Sequence, residues 1–561
     1  HERFGLECVH YAHAGTGEIH LRPILNLKTA EGNQLFRDVA QTIADLVKKY
    51  RGSLSGEHGD GRLRGEFLKQ MIGEKNYRLV EQVKRSWDPG NLFNPGKIVD
   101  TPSMNTSLRF TPDQPEREIE TVFDWSESHG VLRAAEMCNG SGDCRKTHLT
   151  GGTMCPSYMA TRDEKDTTRA RANMLRNVLS GSTNENPFDS EELKDVLDLC
   201  LSCKGCKKEC PSTVDMAKLK AEFQQQYYDV HGVPLRAKII AQFTRSQRVA
   251  SWVPWLWNFC FSTPPIRRFL NRIVGFHPSR TIPLQPRQTL RRWFRRRRGE
   301  VSGEQKRGEQ TRGDGNSHLG EVIFFCDEFT NYNDAEIGQK AIELLERLGY
   351  RVRMVDHVES GRSWLSKGLL RTAKERIEEN VRLLSDQISD EIPLIGIEPS
   401  AILTFRDEAL SLVDESLRSS ATKMAPHCLM LDEFIAREAN AGRITPDMFT
   451  EEPREIHLHG HCFQKALAGV HASLTALNLP TNYKVKTIPS GCCGMAGSFG
   501  YEREHYDLSM SIAELVLLPA VRDAGEAVIV AAPGTSCRHQ IHDGTGRRAL
   551  HPAEVLLDAL R

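Results

Sequence analysis

The sequence has no net charge and no long apolar run. Its 74 lysine and arginine residues balance 74 aspartate and glutamate residues, so we expect no nucleic-acid partner. No apolar run reaches the roughly 18 residues that a membrane span needs. The nearest candidate, Val249 to Phe261, is shorter and contains Pro254. An initiator methionine is also missing, and the first residues resemble the middle of a domain. We therefore expect the chain to be the C-terminal part of a longer polypeptide.

The chain is nevertheless long and rich in cysteine. With 561 residues, 39% of them hydrophobic, it can form three or more domains with cores of their own. Its 15 cysteines are an odd number and fall in clusters, which does not favour a disulfide framework. Because clustered metal-binding or redox cysteines are typical of reducing compartments, we predict a cytoplasmic protein.

The run CLSCKGCKKECP is the most informative motif. Cys200, Cys203 and Cys206 recur every third residue, and Cys210 stands directly before Pro211. This is the spacing of bacterial ferredoxins, in which three thiolates bind one [4Fe–4S] cluster and the fourth binds the other cluster. A zinc knuckle is the alternative, but zinc sites usually end in paired CxxC or HxxxH units. The motif therefore predicts an iron–sulfur protein that transfers electrons.

A second, incomplete motif lies upstream, in CNGSGDC and MCPSY. Cys138 and Cys144 take its first and third positions, Ser141 stands at the middle one, and Cys155 precedes Pro156. Under the ferredoxin rule, the cysteine before each proline binds the other cluster. The rule predicts two ligand sets: Cys155, Cys200, Cys203 and Cys206 for a [4Fe–4S] cluster, and Cys138, Cys144 and Cys210 for a second cluster. The second would be [3Fe–4S], or a cube with Ser141 or water as fourth ligand. Alternatively, these cysteines only pack in a core or remain from a lost site.

Helical periodicity surrounds both motifs, in Thr167 to Leu179 and in Ser190 to Leu201. With these helices, the motif pair resembles the α-helical ferredoxin domain of succinate dehydrogenase and heterodisulfide reductase subunits, which implies an iron–sulfur domain over residues 118–295. Its last part is rich in Trp, Pro and Arg, and we predict a flexible polar linker over 296–318. The basic, aromatic segment indicates either peripheral contact with the inner face of the cytoplasmic membrane or a solvated charge run.

The first hundred residues contain a candidate metal site. His13 and His20 flank a glycine-rich turn in HAGTGEIH, and Glu57 and His58 are adjacent in SGEHGDG. Two imidazoles and a carboxylate suit a divalent metal with positions left open for a substrate. A further histidine beside them can act as a base. Scattered polar residues without a common role are the alternative.

The series YAHAGTGEIH, SGEHGDG and WDPGNLFNPGKIV resembles the C-terminal region of FAD-linked oxidases, the family of D-lactate, D-2-hydroxyglutarate and glycolate dehydrogenases. The resemblance implies that His13, His20 and Glu57 bind a divalent metal, zinc or manganese, which holds an α-hydroxy acid. It also implies that His58 takes the hydroxyl proton while hydride passes to FAD.

The same resemblance implies a domain over residues 1–110 in which Asn94 lies near the flavin. The turn departs from the family's usual pattern at three positions: Ala12, Thr16 and Glu18. The Gly-rich loop that holds FAD in the family is not found in these residues. We expect it upstream of them.

The C-terminal half alternates strands and helices and carries an internal duplication. Strand, helix and strand follow one another from Gly320, and the same order recurs from Glu455. We predict two Rossmann-like α/β repeats, over 319–445 and 452–561. Alignment of the repeats matches Cys326 with Cys462. The first repeat has other residues where the second has its remaining cysteines: Glu359, Ser360, Gly361, Arg362 and Ala401.

The second repeat keeps its cysteines, namely Cys462, Cys492, Cys493 and Cys537. It resembles the cysteine-rich CCG domain of heterodisulfide reductase and glycolate oxidase iron–sulfur subunits, which implies that these four cysteines bind a cluster. Gln540 stands where the family has a final cysteine. Adjacent cysteines are poor geometry for one disulfide, but both can reach a cluster. A redox-active or vestigial thiol site is the alternative.

The predicted fold is therefore multidomain α+β: the end of an FAD-linked oxidase, an α-helical ferredoxin domain and two CCG-type repeats. This order resembles bacterial fusions of an FAD-linked D-2-hydroxyacid dehydrogenase with its iron–sulfur partner. It implies oxidation of a D-2-hydroxy acid, with D-2-hydroxyglutarate or D-lactate favoured, and electron transfer to a quinone or carrier protein. We also expect a homo-oligomer. The alternatives are a non-catalytic electron-transfer subunit and a zinc-stabilised scaffold.

Overall fold

A computed structural model describes residues 2–298 and 318–561. The chain divides into two compact units, of which one ends at Glu118 and the other begins at Ile119. Most of the predicted linker, residues 299–317, lies outside the described residues. Within the described ranges, no helix is long and apolar enough to cross a membrane.

The first unit combines a β-hairpin with three helices. The hairpin strands β1 (Cys8–His13) and β2 (Glu18–Pro23) pair antiparallel. The turn between them is closed by the N–H of Gly17, which donates to the carbonyl of His13 at 3.1 Å. The helices follow in the order α1 (Ala30–Lys49), α2 (Gly65–Ile72) and α3 (Glu74–Trp87). A small core of Ala44, Phe67 and Met104 packs among them.

The second unit begins with a helical part that carries both ferredoxin-like motifs. Its helices are α4 (Val131–Glu136), α5 (Pro156–Thr161), α6 (Thr168–Gly181), α7 (Glu191–Asp198), α8 (Gly205–Glu209), α9 (Met216–His231), α10 (Leu235–Ala241), α11 (Phe243–Ala250), α12 (Pro254–Ser262), α13 (Pro264–Val274) and α14 (Leu290–Arg297). The two helices predicted around the motifs are α6 and α7, and side chains of Thr167 and Ser190 cap their first turns. Helix α14 extends into the beginning of the predicted linker.

A parallel sheet with the strand order β4-β3-β5-β6 follows within the described residues. Its elements are β3 (Gly320–Phe324), α15 (Glu328–Tyr332), α16 (Ala335–Arg347), β4 (Tyr350–Arg353), α17 (Arg362–Leu365), α18 (Leu370–Leu384), β5 (Leu394–Gly396), α19 (Pro399–Ile402), α20 (Glu408–Leu412), α21 (Glu415–Met424), β6 (Cys428–Met430) and α22 (Leu431–Asn440). Strand β3 ends in consecutive buried apolar residues, Val322 to Phe324, as expected for a parallel strand covered on both faces.

A second parallel sheet has the order β8-β7-β9. Its elements are β7 (Arg454–Leu458), α23 (Cys462–Leu467), α24 (His471–Leu477), β8 (Tyr483–Thr487), α25 (Tyr506–Glu514), α26 (Leu517–Asp523), β9 (Ile529–Ala531), α27 (Thr535–Thr545) and α28 (Pro552–Ala559). In both sheets the first strand lies between the second and the third. Because the carboxyl ends of parallel strands meet at one edge, the loops after β7, β8 and β9 come together there.

Candidate functional site

The candidate histidine–glutamate site is built on the β1–β2 hairpin. The register pairs Tyr11 with His20 and His13 with Glu18, so these four side chains lie on one face of the hairpin. The rings of Tyr11 and His20 stack with their centroids 4.6 Å apart. The rings of His13 and His20 meet edge-on at 5.0 Å. Strand alternation alone therefore brings both predicted histidine ligands to one point.

Glu57, in the loop between α1 and α2, joins the two histidines. Its Oε1 atom lies 3.7 Å from Nε2 of His13 and 3.4 Å from Nε2 of His20. The same oxygen lies 3.2 Å from Nε2 of His58. The His20 side chain is largely buried, whereas those of His13 and His58 are more than half exposed. The predicted residues thus meet around one oxygen, at a place that is open on one side.

Glu18 is a further candidate ligand. In the sequence it stands out only as a departure from the family pattern. Ligand atoms of His13, Glu18, His20 and Glu57 all lie within 4.8 Å of one another. Glu18 approaches the backbone at Gly56 so closely that a Cβ there would lie 2.5 Å from its Oε1 atom. The sequence offered one signal for this ligand: Glu18 lies two residues before His20, so both side chains lie on the same face of a strand. Imidazole and carboxylate donors in this number fit zinc or manganese.

Asn94 lies in the loop after α3, with a φ of 48°. Asp88 shapes the start of this loop by accepting hydrogen bonds from the N–H groups of Leu92 and Phe93, both at 2.9 Å. The Lys84 ammonium, which donates to Asp88, lowers the pKa of that carboxyl to about 2. The loop therefore has a defined shape, and the role of Asn94 at a flavin stays a prediction.

The cysteines of the ferredoxin-like motifs lie at the ends of short elements. Cys138 follows α4, Cys144 lies in a tight turn, Cys155 precedes α5, Cys200 follows α7, Cys203 and Cys206 flank the start of α8, and Cys210 follows it. Burial raises the pKa of the Cys203 thiol, and the nearby Cys462, Cys206 and Cys200 raise it further. A buried set of thiols that oppose one another's ionisation fits a cationic cluster, because the cluster would compensate the thiolate charge.

Helix α8 holds the loop that ends in Cys155. Glu209 accepts hydrogen bonds from the N–H groups of Thr153, at 2.6 Å, and Met154, at 3.1 Å. Gly205 permits this approach, since a Cβ there would lie only 3.0 Å from the backbone of both residues. The loop before Pro156 is therefore fixed against the main cysteine motif, although it is distant in sequence.

Cys155, a member of the first predicted ligand set, interacts with cysteines of both sets, namely Cys144 and Cys206. The neighbouring Cys144 thiol raises the pKa of Cys155, and Cys155 in turn lowers the pKa of Cys144 to about 6. Cys155 also interacts electrostatically with Cys206. Cys138 is buried in the same core as Cys144, and the N–H of Cys210 donates to the carbonyl of Cys206 at 2.9 Å. These contacts do not show which cysteines bind the same cluster, so both ligand sets stay predictions.

The cysteines of the second repeat converge at the carboxyl edge of the β8-β7-β9 sheet. Cys462 begins α23, Cys492 and Cys493 lie in the loop after β8, and Cys537 lies in the first turn of α27. All four are buried. Neighbouring thiols shift one another's pKa: Cys462 and Cys493 raise that of Cys492, and Cys493 raises that of Cys537. The neighbouring thiols of Cys492 and Cys537 lower the pKa of Cys493.

His459 is a second residue that the sequence analysis missed. It directly follows β7, and one of its ring nitrogens lies within 4.8 Å of the sulfur atoms of Cys493 and Cys537. The imidazole is fully buried. Its place three residues before Cys462 was the only signal in the sequence.

In the first repeat the corresponding positions hold hydrogen-bonded polar groups. The N–H and hydroxyl of Ser360 donate to the carboxylate of Glu328, both at 2.8 Å. The N–H of Cys326 donates to Nε2 of His357 at 3.1 Å. Ala401 is buried. This site is therefore filled by the protein's own side chains.

The ferredoxin-like cysteines and those of the second repeat are neighbours. Helices α8 and α23 lie against each other, and Cys462 contributes to the raised pKa of Cys203. Between them, the ammonium of the buried Lys204 lies 5.5 Å from the ring centroid of Phe463. The arrangement brings two sets of candidate cluster ligands into the same core.

Comparisons with known proteins identify two domains. Residues 1–98 match the model of the C-terminal domain of FAD linked oxidases, and residues 137–215 match that of a 4Fe-4S dicluster domain. Both domain types agree with the sequence analysis, and the chain is a mixed helix-and-sheet protein that contains them. No solved structure matches the chain significantly.

Curated relatives extend the similarity over nearly the whole chain. The D-2-hydroxyglutarate dehydrogenases of Escherichia coli K12 and Pseudomonas putida are each 26% identical to it, over 99% of this chain and 56% of their own length. One subunit of the anaerobic glycerol-3-phosphate dehydrogenase of E. coli K12 is 24% identical over 59% of this chain and 79% of that protein. The chain thus spans a little more than half the length of the D-2-hydroxyglutarate dehydrogenases that it matches.

Proposed function

We propose that this chain belongs to an FAD- and iron–sulfur-dependent dehydrogenase that oxidises a D-2-hydroxy acid to the 2-oxo acid. The observation that carries the proposal is the meeting of His13, His20 and His58 around one Glu57 oxygen, within residues that match an FAD linked oxidase domain. D-2-hydroxyglutarate is the favoured substrate because of the names of the relatives, and D-lactate is the second candidate.

The histidine–glutamate site would hold the substrate through a divalent metal. His13, His20 and Glu57 are the proposed ligands, and Glu18 is added because its carboxylate shares their position. A metal held by these groups would keep open positions on the exposed side for the hydroxyl and carboxylate of the acid.

His58 is the proposed general base, since its Nε2 is adjacent to Glu57 and its side chain is exposed beside the open positions. It would take the proton of the substrate hydroxyl. FAD, when bound, supplies the acceptor for the hydride, and we assign Asn94 to its surroundings.

The ferredoxin-like domain, residues 118–295, would carry the electrons away from the flavin. Cys155, Cys200, Cys203 and Cys206 are the proposed ligands of a [4Fe–4S] cluster; their support is the spacing and the hold of α8 on the loop before Cys155. Cys138, Cys144 and Cys210 are proposed for a second cluster.

The two parallel sheets are proposed to be CCG-type repeats, over 319–445 and 452–561. Their shared strand order supports a duplication, and the buried thiols of Cys462, Cys492, Cys493 and Cys537 supply ligands for a metal centre in the second repeat alone. The contact between α8 and α23 supports a position of this proposed centre next to the ferredoxin-like cysteines. Electrons would then pass to a quinone or a carrier protein.

Helices α12 and α13, together with Trp252 just before them, support peripheral contact with an anionic membrane surface. Trp252, Trp255, Phe259 and Phe269 are each more than half exposed, and α13 also carries three arginines. Aromatic and basic groups together favour the surface of a negatively charged bilayer. Cosedimentation with phosphatidylserine vesicles, and its absence for neutral vesicles, tests this contact.

An electron-transfer subunit without catalysis of its own is the second candidate function. It is favoured by the similarity to the glycerol-3-phosphate dehydrogenase component, which covers only part of this chain. The histidine–glutamate site argues for the enzyme. If the cysteines instead bound zinc in a structural scaffold, the protein would be colourless.

Replacement of His58 tests the enzyme. In the full-length protein, His58→Ala should lower turnover of D-2-hydroxyglutarate by roughly 10²- to 10⁴-fold, as expected for loss of a general base, with unchanged flavin and iron content. His10→Ala is the matched control, because His10 lies on the opposite face of β1 from His13. Near-normal turnover in His58→Ala would show that His58 is not the general base. A wild-type protein that turns over no D-2-hydroxy acid would instead favour the electron-transfer role.

A further inference from the structure

We propose that His459 is a metal ligand of the cysteine centre of the second repeat, at the end formed by Cys493 and Cys537. The inference rests on the proposed function only in that it assumes a metal at these cysteines. It adds a nitrogen donor to a centre that the sequence motifs describe as all-sulfur.

The fold explains how a histidine comes to lie beside the thiols. His459 leaves the carboxyl end of β7, which is paired on one side with β8 and on the other with β9. Its own N–H donates to the carbonyl of Ala531, the last residue of β9, at 2.8 Å. Cys493 and Cys537 follow β8 and β9 along the chain. All three residues therefore meet at the ligand-binding edge of a parallel sheet.

Hydrogen bonding leaves one nitrogen of the imidazole directed to the thiols. Nδ1 lies 2.6 Å from the hydroxyl oxygen of Ser490, which in turn can donate to the carbonyl of Ile488 at 3.5 Å. In this chain of bonds Nδ1 carries the proton and Nε2 keeps its lone pair. Among the described residues, Nε2 is buried and has no hydrogen-bond partner of normal geometry.

A buried nitrogen without a partner is costly unless something binds it. The geometry here is that of a metal-binding histidine, whose second ring nitrogen typically donates to an oxygen that fixes the ring.

Gln540 and Lys465 also lie near the centre, but hydrogen bonds direct both of them elsewhere. Gln540, one helical turn after Cys537, accepts a hydrogen bond from Arg280 at 2.7 Å and donates to the carbonyl of Ser509 at 3.1 Å. The ammonium of Lys465 donates to the carbonyls of Ser490 and Gly491, at 2.5 and 2.6 Å. Among the described histidines, His459 is the one with a ring nitrogen within 4.8 Å of the sulfur atoms of both Cys493 and Cys537.

The donor set indicates the class of metal. Thiolates together with an imidazole select iron or zinc and do not suit magnesium or calcium. If the centre is iron–sulfur, a neutral histidine in place of a thiolate raises the reduction potential, as it does in Rieske centres. His459 would therefore set both the composition and the potential of the centre.

Metal analysis of the anaerobically purified full-length protein tests the inference. Iron and zinc per chain are measured in the wild type, Cys493→Ser, His459→Ala and the control His551→Gln. His551 is also buried, but its ring accepts from the N–H of Ala553 and contacts the carbonyl of Ile397. Cys493→Ser and His459→Ala should lose the same metal, and His551→Gln should keep it.

His459→Cys keeps the inference testable if His459→Ala fails to fold. This variant should retain the metal. For an iron centre it should lose the nitrogen coupling seen by pulsed electron paramagnetic resonance after labelling with ¹⁵N-histidine, and its midpoint potential should fall. For zinc, the nitrogen contribution to the X-ray absorption spectrum should disappear.

Two results separate the inference from the proposed centre. Wild-type metal content in His459→Ala, together with an unchanged nitrogen signal in His459→Cys, would overturn the histidine ligand alone. Unchanged metal content in Cys493→Ser would overturn the metal centre itself, and the histidine ligand with it.

Discussion

Glu18 shows how a single position changes the description of a site. In the hairpin it is paired with His13 and lies two residues before His20, so its carboxylate shares their face. Its closeness to Gly56 brings it to the loop that carries Glu57. A second carboxylate at this point would bind a divalent metal more tightly and add negative charge near the substrate.

Glu18→Gln should therefore lower metal affinity by roughly 10- to 100-fold, the range found when a supporting group of a metal site is lost. The measurement is a zinc or manganese titration of the chelated full-length protein, followed by turnover. Glu7→Gln is the control, because Glu7 is exposed and lies just before β1. An affinity equal to that of the wild type would leave His13, His20 and Glu57 as the ligands without Glu18.

At the scale of elements, α8 decides where the cysteine before Pro156 lies. The helix is short, yet its Glu209 binds two consecutive N–H groups of the incoming loop. Such bonds to a charged group are stronger than those between neutral groups. The loop and the helix therefore behave as one ligand-bearing element.

If the ferredoxin rule holds in this element, Cys155→Ser should disturb the same paramagnetic signal as Cys203→Ser. Cys210→Ser should disturb a different signal, that of the cluster assigned to Cys138 and Cys144. Electron paramagnetic resonance of the dithionite-reduced full-length protein makes the comparison, with Cys260→Ser, outside both motifs, as control. One common signal for Cys155→Ser and Cys210→Ser, with no second signal, would contradict the two-cluster assignment.

Local sequence patterns predicted several helices and strands, but they did not predict contacts between residues that are distant in sequence. The strand at Gly320 and the helices at Thr168 and Glu191 follow from periodicity, and the turn between His13 and His20 follows from its glycines. The interaction between the Cys144 and Cys155 thiols, and the closeness of His459 to Cys493, depend on loops that meet only after folding. A spacing rule identifies the residue types, but it does not show which sulfur atoms become neighbours.

In the second unit as a whole, a buried charge network joins the ferredoxin-like part to the α/β part. Lys204, directly after Cys203, is 1% exposed and lies 2.5 Å from Asp407 and 3.0 Å from Glu408. Burial alone would lower the pKa of Lys204, but the two carboxylates raise it above its usual value. The ammonium therefore stays charged in the core between the two sets of cysteines.

Lys204→Met should destabilise this unit strongly, because it removes the buried cation that contacts both Asp407 and Glu408. The expected loss is about 3–5 kcal/mol, the range for breaking one side of a buried ion pair. Lys207→Met is the control: Lys207 also pairs with Asp407, but its side chain is 36% exposed. Its removal should cost about 1 kcal/mol or less, since solvent screens such pairs. Anaerobic urea unfolding of both variants, followed by tryptophan fluorescence and cluster absorption, gives the two values. Equal losses in the two variants would show that the Lys204 ammonium does not hold the two parts together.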